Sequence, residues 1–368
     1  MRVALHVGQL RQTVPGGIGR YTMALARHLP AAGIDLLTFA AGPVPVPAGT
    51  SLPALTDLGR PHDGARYELW HRLRAPRLPF SADVVHAPSL AIPPAGDAAL
   101  VVTIHDLAFL DHPDAFTRRG VSFHTRGLAL AEREADAFVT ASDFVRRQLV
   151  ARGIDESRVH IAPHGVTLSP SLDEREALAR VEALGVRPPF ILQVGTVEPR
   201  KGIENLVAAL PRVRREIPDM TLVLAGPIGW GQVAGLREAG VIALGHVEDA
   251  ALEGLYREAT LATVASRSEG FGLPALEAMA HGTPLIASDA TSLPEVVADA
   301  GVLIPPDHPA AWSRAIVELA RDDAARADLA RRGRARAATF TWDASGAAHR
   351  SAFAQAVERP GPRRRGRS

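Results

Sequence analysis

The feature that most constrains the fold is a repeated alternation of short apolar runs with segments of helical periodicity. Nearly continuous Val, Ile and Leu strands that alternate with helices are typical of parallel sheets covered by helices on both faces. In the first half, strands are predicted at Arg2–Val7, Ile34–Phe39, Asp83–His86, Ala99–Ile104, Ala137–Thr140 and Val159–Ala162. The helices predicted between them include Gly17–Leu29, Arg66–Leu73, Arg118–Glu132 and Asp143–Ala151.

The alternation lapses twice. The Pro-rich stretch Pro43–Pro61 predicts an irregular loop, and Thr167–Pro189, with its acidic run and its Pro188-Pro189 pair, predicts a linker. A second series follows, with strands predicted at Phe190–Val197, Thr221–Ala225, Val241–Leu244, Leu261–Val264, Leu285–Ala287 and Gly301–Ile304, and a first helix at Ile203–Ile217 that Pro211 could kink. We therefore predict an α/β protein of two doubly wound, Rossmann-like domains, residues 1–170 and 171–340, facing each other across a ligand-binding cleft.

Composition excludes several classes of protein. The 368 residues include no cysteine, which rules out disulfides, thiolate zinc sites and iron–sulfur clusters, and no apolar stretch reaches the roughly 18 residues of a membrane span. The last ten residues carry five arginines and no acid. We predict that 359–368 is a disordered basic tail, either simply solvated or an anchor on anionic lipid. The remaining chain is slightly acidic, which argues against a nucleic-acid partner.

One corner of the second half concentrates positive charge. Lys201 is the only lysine among 41 basic residues, and it follows Arg200 in a loop between a predicted strand and a predicted helix. Such a corner offers unpaired N–H groups and the positive end of the helix to an anion. We interpret it as a phosphate site, and the alternative is a solvated basic turn. The G-K-[ST] order of a P-loop is absent.

Two carboxylates flank the start of a helix predicted from Pro274 to His281. Glu269 precedes this helix, and Glu277 lies about one turn inside it. Since carboxylates accept hydrogen bonds from hydroxyl groups, sugars are a natural ligand. The alternative for each residue alone is an acid favoured by the helix dipole or by solvent.

Three further positions follow predicted strands. Gly16 and Gly17 open a helix and are either a second anion contact or an ordinary helix start, since their spacing does not fit a dinucleotide fingerprint. His105 ends an apolar strand and either donates a hydrogen bond to a ligand or is structural. Ser142 is predicted to cap the helix that starts at Asp143. No D-x-D, H-E-x-x-H or G-x-S-x-G motif occurs.

Taken together, these motifs resemble the retaining glycosyltransferases of family four, which have the GT-B architecture. The resemblance covers nearly the whole chain. It rests on Gly16-Gly17, His105-Asp106, Ala141–Phe144, Ala162–Val166, Arg200-Lys201, Gly245–Val247 and, most diagnostically, the pair Glu269 and Glu277. His164 stands where the family usually has Asn, and Ala265 stands where it usually has Pro.

The resemblance implies roles for the residues of the second half. Arg200 and Lys201 would neutralise the donor diphosphate, and Glu277 would hold the ribose hydroxyls. Glu269 would bind hydroxyls of the transferred sugar. Those same hydroxyls would meet the backbone amides of Phe271, Gly272 and Leu273.

In the first half, the resemblance implies that Gly16 and Gly17 approach the phosphates and that His105 lies beside the donor sugar. The backbone near Val247 would flank the base. The segment 341–358 resembles the family's final helix, which returns to the first domain.

The function expected from this resemblance is retaining, metal-independent transfer of a hexose, mannose or glucose by family frequency, from a GDP- or UDP-sugar to a glycan or lipid-linked acceptor. No cofactor is expected. The expected location is cytoplasmic, with peripheral contact at the inner membrane face through the basic segment Phe116–Arg126. The alternatives are a nucleotide-sugar-binding protein without turnover and a sucrose- or sugar-phosphate-synthase-type enzyme of the same fold.

Overall fold

A computed structural model describes residues 1–12, 16–45, 52–61, 63–167, 172–229 and 232–365. The chain divides into two compact units. The first unit comprises Met1–Leu110, Arg118–Gly165 and Thr341–Ser368, and the second comprises Asp111–Thr117 and Val166–Phe340. Within the described ranges, no helix is both long and apolar enough to cross a bilayer.

The first unit is built on a seven-stranded sheet in the order β3-β2-β1-β4-β5-β6-β7, with every pairing parallel. Its strands are β1 (Arg2–His6), β2 (Asp35–Ala40), β3 (Leu55–Asp57), β4 (Val84–Ala87), β5 (Ala99–Thr103), β6 (Ala137–Thr140) and β7 (Val159–Ile161). The accompanying helices are α1 (Gly16–His28), α2 (Asp63–Leu73), α3 (Ala108–Asp111), α4 (Arg118–Glu134) and α5 (Asp143–Ala151). The predicted cap of α5 is confirmed, because the Ser142 side chain accepts a hydrogen bond from Val145 N–H at 3.3 Å.

The second unit has a six-stranded parallel sheet in the order β10-β9-β8-β11-β12-β13. Its strands are β8 (Phe190–Val194), β9 (Thr221–Ala225), β10 (Val241–Gly245), β11 (Leu261–Val264), β12 (Leu285–Ser288) and β13 (Val302–Ile304). Its helices are α6 (Glu174–Ala183), α7 (Ile203–Glu216), α8 (Asp249–Glu258), α9 (Leu273–His281), α10 (Leu293–Val297), α11 (Pro309–Arg321) and α12 (Asp323–Ala337). In both sheets the order changes direction beside the first strand, as expected of doubly wound folds.

Two predicted irregular segments contain regular structure. The stretch Pro43–Pro61 includes β3, and residues 46–51 of it lie outside the described part. The predicted linker Thr167–Pro189 includes α6, whose N-cap Asp173 accepts a hydrogen bond from Glu176 N–H at 2.7 Å. The acidic residues there stabilise a helix start instead of marking a break in the fold. The helix α7 runs through Pro211 without interruption.

The chain returns to the first unit through its last long helix, α13 (Trp342–Glu358), which is followed by α14 (Pro362–Arg365). Ala352 and Phe353 of α13 are fully buried in the same apolar cluster as Leu5 and Val101. The structure differs from the prediction of disorder from residue 359 onward, because Gly361 N–H donates to Asp136 Oδ1 at 2.7 Å and α14 follows. The last three tail residues, 366–368, lie outside the described part.

Candidate functional site

The carboxyl end of β8 leads into the predicted basic corner. The chain turns at Gly195, forms a 3-10 turn at Pro199–Lys201 and enters α7 through Gly202, which has a φ of 62°. A Cβ atom at Gly202 would lie 2.1 Å from the Ala265 carbonyl oxygen, just after β11. Glycine is therefore required here both by the left-handed backbone and by the close approach of the two chain segments.

Lys201 and Glu269 form a buried ion pair at this corner. Lys201 Nζ lies 2.6 Å from Glu269 Oε1, and the two residues are 8% and 7% exposed. Ser266 Oγ donates to the same carboxylate oxygen at 2.7 Å, and Arg200 Nη1 lies 3.8 Å from Oε2. The structure thus brings together Arg200, Lys201 and Glu269, which the sequence placed after different strands.

The surrounding charges keep Glu269 ionised. Burial acts to raise the pKa of this carboxyl, but the positive charges of Lys201 and Arg200 act against burial. Together with the hydrogen bonds from Lys201 and Ser266, they hold the pKa below its ordinary value. At neutral pH the corner therefore carries a fixed carboxylate between two fixed cations.

Arg200 is held by the residues on either side of it. Its Nε and Nη2 donate to Glu198 Oε1 at 3.1 and 2.7 Å, and its Nη1 donates to the Ser268 carbonyl at 2.8 Å. Glu198 is only 4% exposed. These bonds fix the guanidinium group in one orientation beside Glu269.

Arg267 stabilises the same turn through hydrogen bonds to its backbone and to two neighbouring carboxylates. Its Nη1 donates to the Pro199 carbonyl at 2.7 Å and to Glu204 Oε1 at 2.5 Å, and its Nε donates to Asp307 Oδ1 at 2.9 Å. The hydrogen bond from Arg267 is the largest of the contacts that lower the pKa of Asp307. Arg267 also donates its backbone N–H to the Arg200 carbonyl at 2.9 Å. The basic corner therefore rests on a charged network and not on a flexible loop.

The backbone around Glu269 is equally constrained. Its N–H donates to Thr291 Oγ1 at 3.0 Å, and its carbonyl accepts from Ser292 Oγ at 2.9 Å. Thr291 has a φ of 56°, which is rare for a β-branched residue. This strained conformation places the threonine hydroxyl against the Glu269 amide.

The predicted amide donors lie at the start of α9. Gly272, with a φ of 104°, is the N-cap, and Leu273 is the first helical residue. Phe271 is buried, with its ring edge-on to Phe340 at 5.8 Å. The first N–H groups of an α-helix have no carbonyl one turn earlier to bond, and helix starts are therefore common sites for anions and hydroxyls.

Glu277 lies one turn further along α9 and is half-buried. Its Oε2 accepts a hydrogen bond from Tyr256 Oη at 3.0 Å. Val247, the residue predicted to flank the base, follows β10 and is 8% exposed. Both therefore belong to the unit that holds Arg200, Lys201 and Glu269.

The predicted residues of the first half lie in the first unit. Gly16, with a φ of 65°, and Gly17 start α1. His105 follows β5, and its Nε2 is 2.8 Å from the Pro88 carbonyl, so this nitrogen carries the proton. Burial lowers the pKa of His105, which keeps the ring neutral near pH 7.

A directed chain of buried hydrogen bonds lies behind His105. His349 Nδ1 donates to the Ser345 carbonyl at 2.7 Å, and burial lowers the pKa of His349 to about 4, so Nε2 is an acceptor. Tyr21 Oη must then donate to His349 Nε2 at 2.7 Å and accept from Thr103 Oγ1 at 2.8 Å. Thr103 in turn accepts from His86 Nε2 at 2.8 Å. The Tyr21 ring packs edge-on against His105 at 4.9 Å, so this chain fixes the surface on which His105 rests.

Comparison with known proteins identifies the family. The family model described as Glycosyl transferases group 1 matches residues 188–322, and that described as Glycosyltransferase Family 4 matches 15–170. The chain is 32% identical over 278 residues to the O-antigen chain mannosyltransferase B of Escherichia coli, covering 71% of each chain. The chain is a family 4 glycosyltransferase. It is also 34% identical over 288 residues to a D-inositol 3-phosphate glycosyltransferase of Xylanimonas cellulosilytica, covering 72% of this chain and 68% of that one.

Solved structures confirm that this glycosyltransferase has the GT-B architecture. A sucrose-phosphate synthase from Thermosynechococcus elongatus matches with a TM-score of 0.73 at 22% identity, covering 96% of this chain and 98% of that one. HepE of Anabaena, solved with UDP and glucose, matches with a TM-score of 0.72 at 18% identity, covering 96% and 99%. At these identities the likeness concerns the fold.

The sequence does not predict several residues that support the site of this glycosyltransferase. Glu198 and Arg267 lie beside motifs that were singled out, but nothing in the sequence indicates their ion pairs. Tyr256 and Thr291 reach Glu277 and Glu269 from other elements. The position of Glu198, two residues before Arg200 in the same loop, is the one sequence feature that could have indicated their ion pair.

Proposed function

We propose that this family 4 glycosyltransferase transfers a hexose from a nucleoside-diphosphate sugar to a glycan or lipid-linked acceptor, with retention of configuration and without a metal ion. The observation that carries the proposal is the buried Lys201–Glu269 pair, with Arg200 beside it, beyond the carboxyl ends of β8 and β11. It supplies both the positive charge for a diphosphate and the carboxylate for a sugar.

The comparisons support the donor class. One relative is named a mannosyltransferase, and a structural neighbour was solved with UDP and glucose. A mannosyl or glucosyl donor carried by GDP or UDP is consistent with both. The sucrose-phosphate synthase of the same fold keeps a sugar-phosphate acceptor as the second candidate.

Charge explains how this site would accelerate transfer. As the bond to the sugar breaks, negative charge grows on the departing diphosphate and positive charge grows on the sugar ring. Lys201 has three N–H donors, of which Glu269 takes one, and the others can bind phosphate oxygens. Cations fixed in advance in a partly dry site stabilise the transition state more than the ground state. In this proposal these cations neutralise the departing diphosphate, which a divalent metal ion does in other enzymes.

The carboxylates would orient the donor. Glu269, ionised and held on both sides of its backbone, would accept hydrogen bonds from hydroxyls of the transferred sugar, and Glu277 would accept them from the ribose. Retention would follow from attack by the acceptor on the leaving-group face, with a diphosphate oxygen taking the proton. The roles of Gly16, Gly17, His105 and Val247 remain predictions from the family resemblance.

The test is transfer or slow hydrolysis of UDP-glucose and GDP-mannose by the wild type and by Lys201→Met. We expect turnover with one donor, an α-configured product from an α-configured donor by NMR, and a loss of roughly a hundredfold or more in the variant. Arg180→Met, which removes a cation from an exposed ion pair of the same unit, is the control and should keep full activity. Undiminished turnover in Lys201→Met would refute the role of that lysine, and binding without turnover would leave a nucleotide-sugar-binding protein.

We also propose peripheral contact with a membrane that carries the acceptor, at the cytoplasmic face. The exposed Arg118 and Arg119 at the start of α4 support this proposal by their charge. Flotation with anionic vesicles, compared between the wild type and a variant with both arginines changed to Gln, tests it. Equal flotation of the two proteins would contradict it.

A further inference from the structure

Tyr256 is a buried residue of α8 to which the sequence assigns no role. It is 2% exposed, yet its hydroxyl reaches across to α9 and meets Glu277 Oε2 at 3.0 Å. Because an ionised carboxylate only accepts hydrogen bonds, Tyr256 must be the donor. The Pro274 carbonyl oxygen is 3.5 Å from the hydroxyl, too far for a good O–H···O bond.

The Tyr256 side chain is fixed at both ends. Its ring stacks on the His281 ring, with 5.2 Å between centroids and 9° between planes. Its own carbonyl oxygen accepts from Thr283 Oγ1 at 2.5 Å. His281 is the last residue of α9, one turn after Glu277, so both the ring and the hydroxyl of Tyr256 contact the same helix. The phenol therefore holds a set position relative to the Glu277 backbone.

This contact restricts the freedom of Glu277. An unsupported glutamate on a helix samples several rotamers, and fixing it on ligand binding costs free energy. A carboxylate has about four acceptor positions, so accepting from Tyr256 does not by itself exhaust the capacity of Glu277 to bind a ligand. A donor fixed on the protein side would aim the remaining acceptor positions of Glu277 in one direction.

We propose that Tyr256 is a positioning residue that aligns Glu277 to accept hydrogen bonds from the ribose hydroxyls of the donor nucleotide. This inference rests on the proposed function, which assigns the ribose to Glu277. It predicts that Tyr256 contributes to the discrimination between ribose and deoxyribose, a property that a side chain serving only to fill the core would not affect.

The experiment is isothermal titration calorimetry of the full chain with UDP, 2′-deoxy-UDP, GDP and 2′-deoxy-GDP. For the base that binds, we expect the wild type to prefer the ribonucleotide by roughly ten- to a hundredfold, the range for a hydrogen bond to a charged group. Tyr256→Phe should reduce that preference at least threefold, mainly by weakening ribonucleotide binding. Glu277→Gln should reduce it as much or more.

The controls separate positioning from folding. Tyr67→Phe removes a phenol hydroxyl from the other unit and should leave the preference unchanged. If Tyr256→Phe folds poorly, His281→Leu, which removes the stacking partner and keeps the phenol hydroxyl, should lower the preference in the same direction.

The outcomes distinguish the inference from the proposed function. A Tyr256→Phe enzyme with the wild-type preference would overturn the inference while leaving nucleotide binding intact. A wild type that binds UDP or GDP without preferring ribose would overturn it together with the ribose role of Glu277. A wild type that binds neither nucleotide would overturn the proposed function itself.

Discussion

The buried pair of Lys201 and Glu269 makes a strong prediction for Lys201→Met. Removing one partner of a buried ion pair costs about 3–5 kcal/mol, because the other charge is left in a poorly solvated place. Here Ser266 still donates to Glu269 and Arg200 remains 3.8 Å away, so we expect the lower end, about 3 kcal/mol. For a domain of this size that corresponds to a fall in Tm of roughly 6–12 °C.

The loss of Tm in Lys201→Met should depend on pH, because Glu269 is titratable. In the wild type the pKa of Glu269 is lowered, so its charge stabilises the fold above the unfolded-state pKa, and this stability is lost as the pH falls through the folded-state value. In Lys201→Met the largest opposing charge is gone, so the pKa rises and protonation relieves the buried carboxylate. The difference in Tm between variant and wild type should therefore shrink from pH 7 to pH 4.5.

Thermal unfolding followed by circular dichroism measures both effects. Lys201→Met/Glu269→Gln should recover most of the lost stability at pH 7 without recovering activity, since neither partner is then a lone charge. The exposed pair of Arg180 and Glu176 gives the control, with less than about 1 °C expected for Arg180→Met. A Lys201→Met protein with wild-type Tm at pH 7, or one whose deficit stays constant down to pH 4.5, would refute the reasoning.

Three further predictions follow from the same unit. Gly202→Ala should lower the free energy of unfolding in urea by at least about 2 kcal/mol, because its Cβ would lie 2.1 Å from the Ala265 carbonyl oxygen. Gly185 also has a positive φ but has open space around it, so Gly185→Ala should lower that free energy by only about 1 kcal/mol. Equal losses would contradict the steric argument. Arg267→Met should raise the donor KM roughly tenfold in steady-state kinetics by freeing the Pro199 carbonyl, and an unchanged KM would show that the turn needs no brace. Transfer activity should survive excess EDTA, and a loss reversed by Mg²⁺ or Mn²⁺ would disprove metal independence.

Local pattern predicted the two sheets well. Strands such as β9 and β11 begin and end where their apolar runs do, because a parallel strand buried on both faces has no polar alternation to blur its limits. The helix α6 was missed because its first turn is acidic and lies between prolines, a composition that also marks linkers. The short edge strand β3 carries an exposed leucine and little apolar character, so it gave no strand signal.

The site was predictable where it depends on chain direction. Residues that follow parallel strands meet at one edge of the sheet, and this is how Lys201 and Glu269, 68 positions apart, could be expected together. The supporting contacts of Arg267 and Tyr256 could not be predicted, since they depend on side-chain directions across separate elements. Such contacts depend on the three-dimensional packing of separate elements, and they produce no periodic pattern in the sequence.

The return of α13 to the first unit has a consequence for how the polypeptide matures on the ribosome. Every residue of the second unit up to Phe340 is synthesised before Phe353, which fills the core around Leu5 and Val101. The earlier-made amino-terminal half must therefore keep part of its apolar surface uncovered until Phe353 has been synthesised. A nascent chain arrested just after Phe340 would contain the whole second unit, whereas its first unit would still lack α13.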